Sequence, residues 1–216
     1  MDRKTVLERI RQVGVVPVVR AGSADEATRA IEAIQAGGVP IIEITMTVPG
    51  AVDLIREVAG RLPDAVVGAG TVLDPETARE CIGAGARFVV SPALDVDTVA
   101  ACREAGVAVI PGALTPTEVV TAWRAGADLV KVFPAGAVGG PAYLKSLKAP
   151  LPQIELVPTG GVNLKTAGDF IRAGAAALGV GADLVDLAAL RRGEASVLTE
   201  RARQFVEAVR AARSGA

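Results

Sequence analysis

Short apolar runs recur along the chain, and five of them follow the same Ala-Gly phrase. The segments read AGGVPIIEIT, AGARFVVSP, AGVAVIPGAL, AGADLVKVFPAG and AGAAALGVG. Each is typical of a helix that ends at glycine and passes directly into a buried strand. Three further runs, at residues 15–20, 65–73 and 154–162, fill the gaps in this series. The pattern therefore predicts eight strands.

Helical patterns lie between the predicted strands. SADE at 23–26 and TPTE at 115–118 are typical of capping boxes, and the second places a proline at the first helical position. The spacing of four apolar residues after SADE predicts one buried helical face. These residues are Ala27, Ala30, Ile31 and Ile34.

The repeated strand and helix unit predicts an α/β fold, the (β/α)8 TIM barrel. We expect a single domain over residues 1–216, with an N-terminal helix before strand 1 and a C-terminal helix at about 196–213. A doubly wound open sheet is the alternative, because a strand count does not show that the sheet closes on itself.

Composition narrows the kinds of partner. Half of the residues are hydrophobic but only 3% are aromatic, so aliphatic side chains must fill the core, as in parallel sheets covered by helices. The formal net charge is −1, which provides no basic field for nucleic acid or anionic lipid. Every long apolar run is interrupted before it reaches the length of a membrane helix, and the start MDRKTVLERI lacks a signal core. We expect a cytoplasmic protein without nucleic-acid or membrane partners.

The chain contains no histidine. Its absence excludes histidine general bases, Ser-His triads and the usual imidazole metal sites, so acid–base chemistry falls to Glu, Asp, Lys or Tyr. We expect no metal and no cofactor. Cys81 and Cys102 lie in helical patterns without C-x-x-C spacing, which is typical of reduced structural thiols.

Polar residues stand near the ends of the predicted strands, where the inward side chains of a barrel reach the active-site mouth. They are Arg20, Glu43, Thr45, Thr71, Ser91, Lys131 and Thr159. Local hydrogen bonds are the alternative explanation for Arg20 and Thr71.

Lys131 interrupts an otherwise apolar strand. The two-residue period of a strand places it on one face with Leu129 and Phe133. A lysine among apolar side chains loses hydration, which disfavours its charged form and favours a nucleophilic amine. The alternative is a buried structural ion pair between Lys131 and Glu43.

Glycine-rich stretches follow the last two predicted strands. TGGVN at 159–163 and GVGAD at 179–183 include Gly160, Gly161 and Gly181. Barrels commonly bind phosphate in the loops after strands 7 and 8 through backbone N–H groups, and DLVDLAAL is a candidate for a short helix beside them. The alternative is that these glycines serve only tight turns.

Six segments stand in one order along most of the chain, from about Val15 to Val185: EITMTVPGA, VGAGTV, FVVSP, PGALTPTE, LVKVFPA and VPTGGVN. Together they resemble the 2-keto-3-deoxy-6-phosphogluconate (KDPG) and 4-hydroxy-2-oxoglutarate (KHG) aldolase family. The resemblance implies a class I aldolase in which Lys131 matches the Schiff-base lysine and Glu43 matches the acid/base glutamate. It also implies that Thr71, Pro92 and Phe133 line the pyruvate pocket. Gly160 and Gly161 match the glycines of the phosphate loop.

The implied reaction cleaves or forms a KDPG- or KHG-type substrate. Lys131 attacks C2 of the 2-keto acid, and the iminium withdraws electrons while the C3–C4 bond breaks to leave the enamine of pyruvate. Glu43 transfers protons at the carbinolamine and at C3, through a water molecule. The partners are then a small 2-keto acid and an aldehyde, glyceraldehyde 3-phosphate or glyoxylate. The resemblance also implies a homotrimer.

Two positions depart from the family pattern. Thr47 stands where many members carry an arginine that holds the substrate carboxylate, so Arg20 is the substitute, because a guanidinium can bind a carboxylate with two bonds. Ala182 stands where many members have a phosphate-binding serine, which predicts weaker discrimination for phosphorylated substrates. Thr159 and Gly181 complete the expected substrate-binding set.

Two other functions fit the same residues. A phosphate-binding isomerase or epimerase would use Lys131 and Glu43 as acid and base without a covalent intermediate. A non-catalytic barrel would serve as a subunit of an oligomer. Reduction with borohydride in the presence of pyruvate separates them from an aldolase, because only an iminium is trapped on lysine.

Overall fold

A computed structural model describes residues 1–215 of the chain as parallel β-strands alternating with α-helices. The strands are β1 Val15–Val19, β2 Ile41–Thr45, β3 Val66–Gly70, β4 Phe88–Val90, β5 Ala108–Ile110, β6 Gly112–Ala113, β7 Val130–Val132, β8 Leu156–Pro158 and β9 Leu178–Val180. The helices are α1 Arg3–Val13, α2 Ala24–Ala36, α3 Ala51–Arg61, α4 Pro75–Gly83, α5 Val96–Glu104, α6 Pro116–Ala125, α7 Pro141–Lys148, α8 Ala167–Arg172, α9 Leu187–Arg191 and α10 Ala195–Ser214, with a 3₁₀ turn at Gly136–Val138.

The strands form two parallel sheets. The larger sheet has the order β5-β4-β3-β2-β1-β9, and the smaller has the order β6-β7-β8. Two isolated parallel bridges, Leu156 to Ala175 and Thr159 to Gly179, join β8 and the residue after it to the chain around β9. The α/β class predicted from the alternating pattern is confirmed.

The fifth predicted strand is divided in two, so residues 1–215 contain nine strands where the sequence predicts eight. The break falls at Pro111, between β5 and β6. Proline has no N–H to donate to a neighbouring strand. Its carbonyl still accepts a hydrogen bond from Lys131 N at 2.9 Å, so the chain passes from one sheet to the other at this residue.

Every residue of the nine strands is buried. Continuous burial of this kind requires cover on both sides of a parallel sheet. The predicted face of α2 supplies part of that cover, because Ala27, Ala30, Ile31 and Ile34 are all fully buried. Aliphatic residues dominate the core, as the low aromatic content predicts.

The two predicted capping boxes differ in the structure. Thr115 and Glu118 form the complete reciprocal box at the start of α6, with Pro116 at the first helical position. Ser23 accepts a hydrogen bond from Glu26 N, but the carboxylate of Glu26 binds Gly22 N at 2.8 Å and Arg191 at 2.6 Å. The box at Ser23 is therefore incomplete, because Arg191 of α9 and the backbone of Gly22 bind the carboxylate of Glu26.

Helix α1 lies against the ends where the strands begin. Arg3 pairs with Asp128, two residues before β7, and that aspartate also accepts a hydrogen bond from Val109 N at 2.9 Å. Arg11 pairs with Glu155, directly before β8, at 2.6 Å. These contacts fasten the helix to the face opposite the strand ends where the predicted site residues lie.

Candidate active site

Lys131 and Glu43 lie beside each other although they belong to different sheets. Lys131 is the middle residue of β7, and Glu43 is the middle residue of β2. Nζ of Lys131 is 4.0 Å from Oε1 of Glu43, and the two side chains are only 5% and 3% exposed. At that separation opposite charges attract, but the two atoms are too far apart for a hydrogen bond. An amine and a carboxyl group thus lie side by side in the protein interior without a hydrogen bond between them.

Burial dominates the electrostatics of Glu43. It raises the pKa of the Glu43 carboxyl above its ordinary value, while the charges of Lys131 and Arg20 act in the opposite direction. Oε1 of Glu43 is buried and has no hydrogen-bond partner within residues 1–215. A buried acceptor without a partner costs free energy unless another group meets it. This atom is therefore suited to exchange a proton with a molecule that enters the site.

Phe133 connects the buried pair to an open cavity. Its ring centroid is 5.4 Å from Nζ of Lys131, and the ring lines a cavity of about 620 Å³. Five other predicted residues line the same cavity, namely Arg20, Thr159, Gly160, Gly161 and Gly181. The lining does not include Lys131 or Glu43, both of which are buried.

Thr71 and Pro92 follow β3 and β4, and neither lines that cavity. Thr71 has a φ of 59°, in the left-handed region that a β-branched residue rarely adopts. Such strain persists only where the surrounding structure imposes it, and it is frequent at functional sites. Ser91, between β4 and Pro92, donates a local hydrogen bond to Ala93 O at 2.7 Å, so its hydroxyl is used within its own turn.

Glycines within the strands make room for the site, and sequence reasoning missed them. A Cβ on Gly70 would overlap the carboxylate of Glu43, and a Cβ on Gly179 would overlap the hydroxyl of Thr159. Gly68, two residues before Gly70 on the same face, leaves the corresponding space for the ring of Phe88. The available signal was the alternation of glycines in VVGAGT, because glycine in a strand often marks a close approach by another group.

Arg20 is exposed at the end of β1 and lines the cavity. The two acidic residues at the start of α2 are paired with other cations: Asp25 pairs with Arg29 at 3.2 Å, and Glu26 pairs with Arg191 at 2.6 Å. Within residues 1–215, Arg20 itself forms no ion pair of 4.0 Å or less. Its guanidinium is thus free to meet an anion in the cavity.

The hydroxyl group of Thr47 forms a hydrogen bond with the hydroxyl group of Thr45. The hydroxyl groups of Thr45 and Thr47 are 2.6 Å apart, and Thr45 donates to Val19 O at 3.0 Å. Because a hydroxyl has one hydrogen to donate, Thr47 must be the donor within the threonine pair. Its hydrogen is therefore already engaged at the position where many family members carry an arginine.

The two cysteines are free and buried. Burial raises the pKa of both thiols to about 11, so they are protonated near neutral pH, as expected of structural cysteines. Among residues 1–215, no three histidine, cysteine, aspartate or glutamate side chains are grouped to hold a metal ion. In the same range, no helix is both long enough and apolar enough to cross a membrane.

Comparison with known proteins identifies the family. The profile described as KDPG and KHG aldolase matches residues 6–200. The KHG/KDPG aldolase of Escherichia coli (strain K12) is 37% identical over 205 residues, which are 94% of this chain and 96% of that protein. The chain belongs to the KDPG and KHG aldolase family. The predicted resemblance is confirmed, and with it the prediction of a lyase.

Two solved structures extend the likeness of this aldolase to its backbone. A structure described as native KDPGal has a TM-score of 0.84 at 33% identity, and the match covers 93% of this chain and 96% of the chain in that structure. The KDPG aldolase from Legionella pneumophila has a TM-score of 0.86 at 29% identity, and the match covers 93% of this chain and 97% of that aldolase chain. That second structure holds pyruvate captured at low pH as a covalent carbinolamine intermediate.

Proposed function

We propose that this chain is a class I aldolase that cleaves and forms 2-keto acids of the KDPG or KHG type through a Schiff base on Lys131. The observation that carries the proposal is the buried pair, with Nζ of Lys131 4.0 Å from Oε1 of Glu43. A nucleophilic amine beside a carboxyl group of raised pKa is the combination that imine chemistry requires. The carbinolamine of pyruvate in the Legionella pneumophila aldolase supports the assignment.

The proposed reaction begins when Nζ of Lys131 attacks the C2 carbonyl of the substrate. The carbinolamine loses water to form an iminium. The C4 hydroxyl then gives its proton to Glu43, the iminium accepts the electron pair of the breaking C3–C4 bond, and the aldehyde leaves. The remaining enamine takes a proton at C3, and water releases pyruvate and the free lysine. Glu43 carries protons at the carbinolamine, at the C4 hydroxyl and at C3, and burial raises the pKa of its carboxyl above the ordinary value.

The cavity residues position the substrate in this proposal. Arg20 binds the carboxylate next to C2, because it is the only cationic side chain of the described lining and lies near enough to lower the pKa of Glu43. Phe133 covers the amine, and Thr71 and Pro92 shape the far side of the pyruvate pocket. Thr159, Gly160, Gly161 and Gly181 receive the aldehyde end.

We further infer that the two sheets are parts of one closed (β/α)8 barrel and that residues 1–216 form a single domain. The continuity of the chain through Pro111 and the bridges between β8 and β9 support closure. A homotrimer in the cytoplasm is the assembly expected of this aldolase. Exposed Leu73, Val96 and Trp123 offer apolar surface to neighbouring copies.

Borohydride reduction in the presence of pyruvate tests the mechanism. The intact protein is incubated with pyruvate, reduced and digested, and mass analysis of the peptides is expected to show one reduced pyruvate adduct on Lys131. The same treatment without pyruvate is the control. An adduct on another lysine contradicts the assignment of the nucleophile, and a protein without any adduct contradicts the covalent mechanism and favours non-covalent acid–base chemistry.

A further inference from the structure

The loops around the aldehyde end of the cavity carry more negative than positive charge. Asp183 and Asp186 both belong to the lining, beside the glycines that follow β8 and β9. Arg20 is the only lysine or arginine in the described lining, and the proposed function assigns it to the keto-acid carboxylate. No cationic side chain of the lining is then left for the other end of the substrate.

Asp186 already occupies the helix terminus that faces the cavity. Its Oδ1 accepts a hydrogen bond from Ala189 N at 2.9 Å, and so it caps α9. This hydrogen bond lowers the pKa of Asp186, which keeps the carboxylate charged near neutral pH. The positive end of this helix is therefore neutralised from within the chain.

A cation outside the described lining is bound to the same loop. Arg201 of α10 binds Oδ2 of Asp186 at 3.0 Å and donates to Asp183 O at 3.1 Å. The carboxylate of Asp183 is exposed and has no ion-pair partner within residues 1–215. Ala182, directly before it, provides no hydroxyl to donate to an anion.

We infer that this aldolase prefers an aldehyde without a phosphate group to the same aldehyde with one. The inference rests on the proposed function. A phosphate dianion in this position would share the lining with two carboxylates, of which only that of Asp186 is paired with a cation, and the lining glycines and Ala182 would offer it only backbone N–H groups as donors. Like charges repel each other, and salt weakens this repulsion at an exposed position. A hydroxyl group pays no such penalty and can bind the same N–H groups.

The test compares two aldehydes that differ only in phosphate. The condensation of pyruvate with D-glyceraldehyde and with D-glyceraldehyde 3-phosphate is measured on the intact enzyme, and kcat/KM for each aldehyde is determined at low ionic strength. We expect the unphosphorylated aldehyde to equal or exceed the phosphorylated one. A higher kcat/KM for the phosphorylated aldehyde than for the unphosphorylated one overturns the inference.

Variants locate the cause. Asp183→Asn is expected to raise the ratio of kcat/KM for phosphorylated to unphosphorylated aldehyde by about three- to tenfold, with a smaller gain at high salt. Asp64→Asn removes the same charge from an exposed position just before β3, at the opposite ends of the strands, and should leave the ratio unchanged. An unchanged ratio in Asp183→Asn overturns the role of this carboxylate.

The two proposals fail in different ways. The reduced pyruvate adduct on Lys131 forms without any aldehyde, so it reports on the Schiff base alone. An enzyme that gives the adduct but prefers the phosphorylated aldehyde refutes only the inferred substrate class. An enzyme that gives no adduct refutes the Schiff-base mechanism, and the inferred substrate class falls with it.

Discussion

Carboxylates have opposite electrostatic properties in two regions of the molecule. One region is the buried pair of Lys131 and Glu43, and the other is the rim of the cavity, formed by Arg20 and the loops after β8 and β9. At the pair, Glu43 is desolvated and Oε1 lacks a hydrogen-bond partner among the described residues, so burial raises the pKa of its carboxyl. At the rim, Asp186 accepts a backbone hydrogen bond and pairs with Arg201, and the pKa of its carboxyl is lowered. The difference shows that the same chemical group is prepared for proton transfer in one region and for fixed charge in the other.

Replacement of the buried amine is the most severe way to break the pair. Lys131→Met should retain the fold, because an apolar side chain of similar length suits the interior of β7, and should abolish both pyruvate trapping and cleavage. Circular dichroism and the kcat of cleavage check the two expectations. Lys145→Met, at an exposed position of α7, is the matched control and should retain activity. Residual cleavage in Lys131→Met above a few per cent of the original rate would be a smaller loss than the ~10²-fold expected from a single acid/base group, and it would reject Lys131 as the nucleophile.

Neutralising the carboxylate separates proton transfer from imine formation. Glu43→Gln should still yield a reduced pyruvate adduct, but turnover should fall by about 10²- to 10⁴-fold, the usual contribution of a positioned acid/base. The measurement compares the rate of trapping with the kcat of cleavage in one preparation. A variant with the original kcat would assign the proton transfers to another group.

The space beneath Glu43 offers an independent way to disturb the pair. In Gly70→Ala, the new methyl group would overlap the carboxylate, so the carboxylate must move and kcat should fall by about 10²-fold, as expected for a displacement of about 1 Å. Gly68→Ala is the matched control, since its methyl group meets the ring of Phe88 instead. Both variants should lose about 1 to 3 kcal/mol of stability from overpacking, but only Gly70→Ala should lose activity per folded molecule. Equal kinetics in the two variants would remove Gly70 from the positioning of Glu43.

The cation at the rim should contribute less than either member of the pair. Arg20→Ala is expected to lower kcat/KM for a keto-acid donor by roughly thirtyfold to a hundredfold, because a charge-assisted contact is lost. An uncharged ketone donor should be affected much less. Equal losses for the two donors, or no loss for either, would exclude Arg20 from carboxylate binding.

The features that follow from local pattern were predictable, and those that depend on distant neighbours were not. The alternation of strands and helices and the inward position of Lys131 and Glu43 follow from periodicity and burial. The division of the fifth strand depends on how Pro111 meets β7, and the diversion of Glu26 depends on Arg191, which is distant in sequence. The space that Gly70 leaves is visible only once β2 and β3 are in register.

Helix α1 has a consequence for how freely this protein can be remodelled. Its ion pairs to Asp128 and Glu155 tie it to the strand beginnings, while the reactive groups lie in the middle of β2 and β7 and the substrate-facing loops follow the strand endings. Mutational libraries restricted to the loops after β8 and β9 therefore leave these anchoring contacts in place. Selection for new aldehydes can proceed at one end of the molecule while the other end preserves the fold.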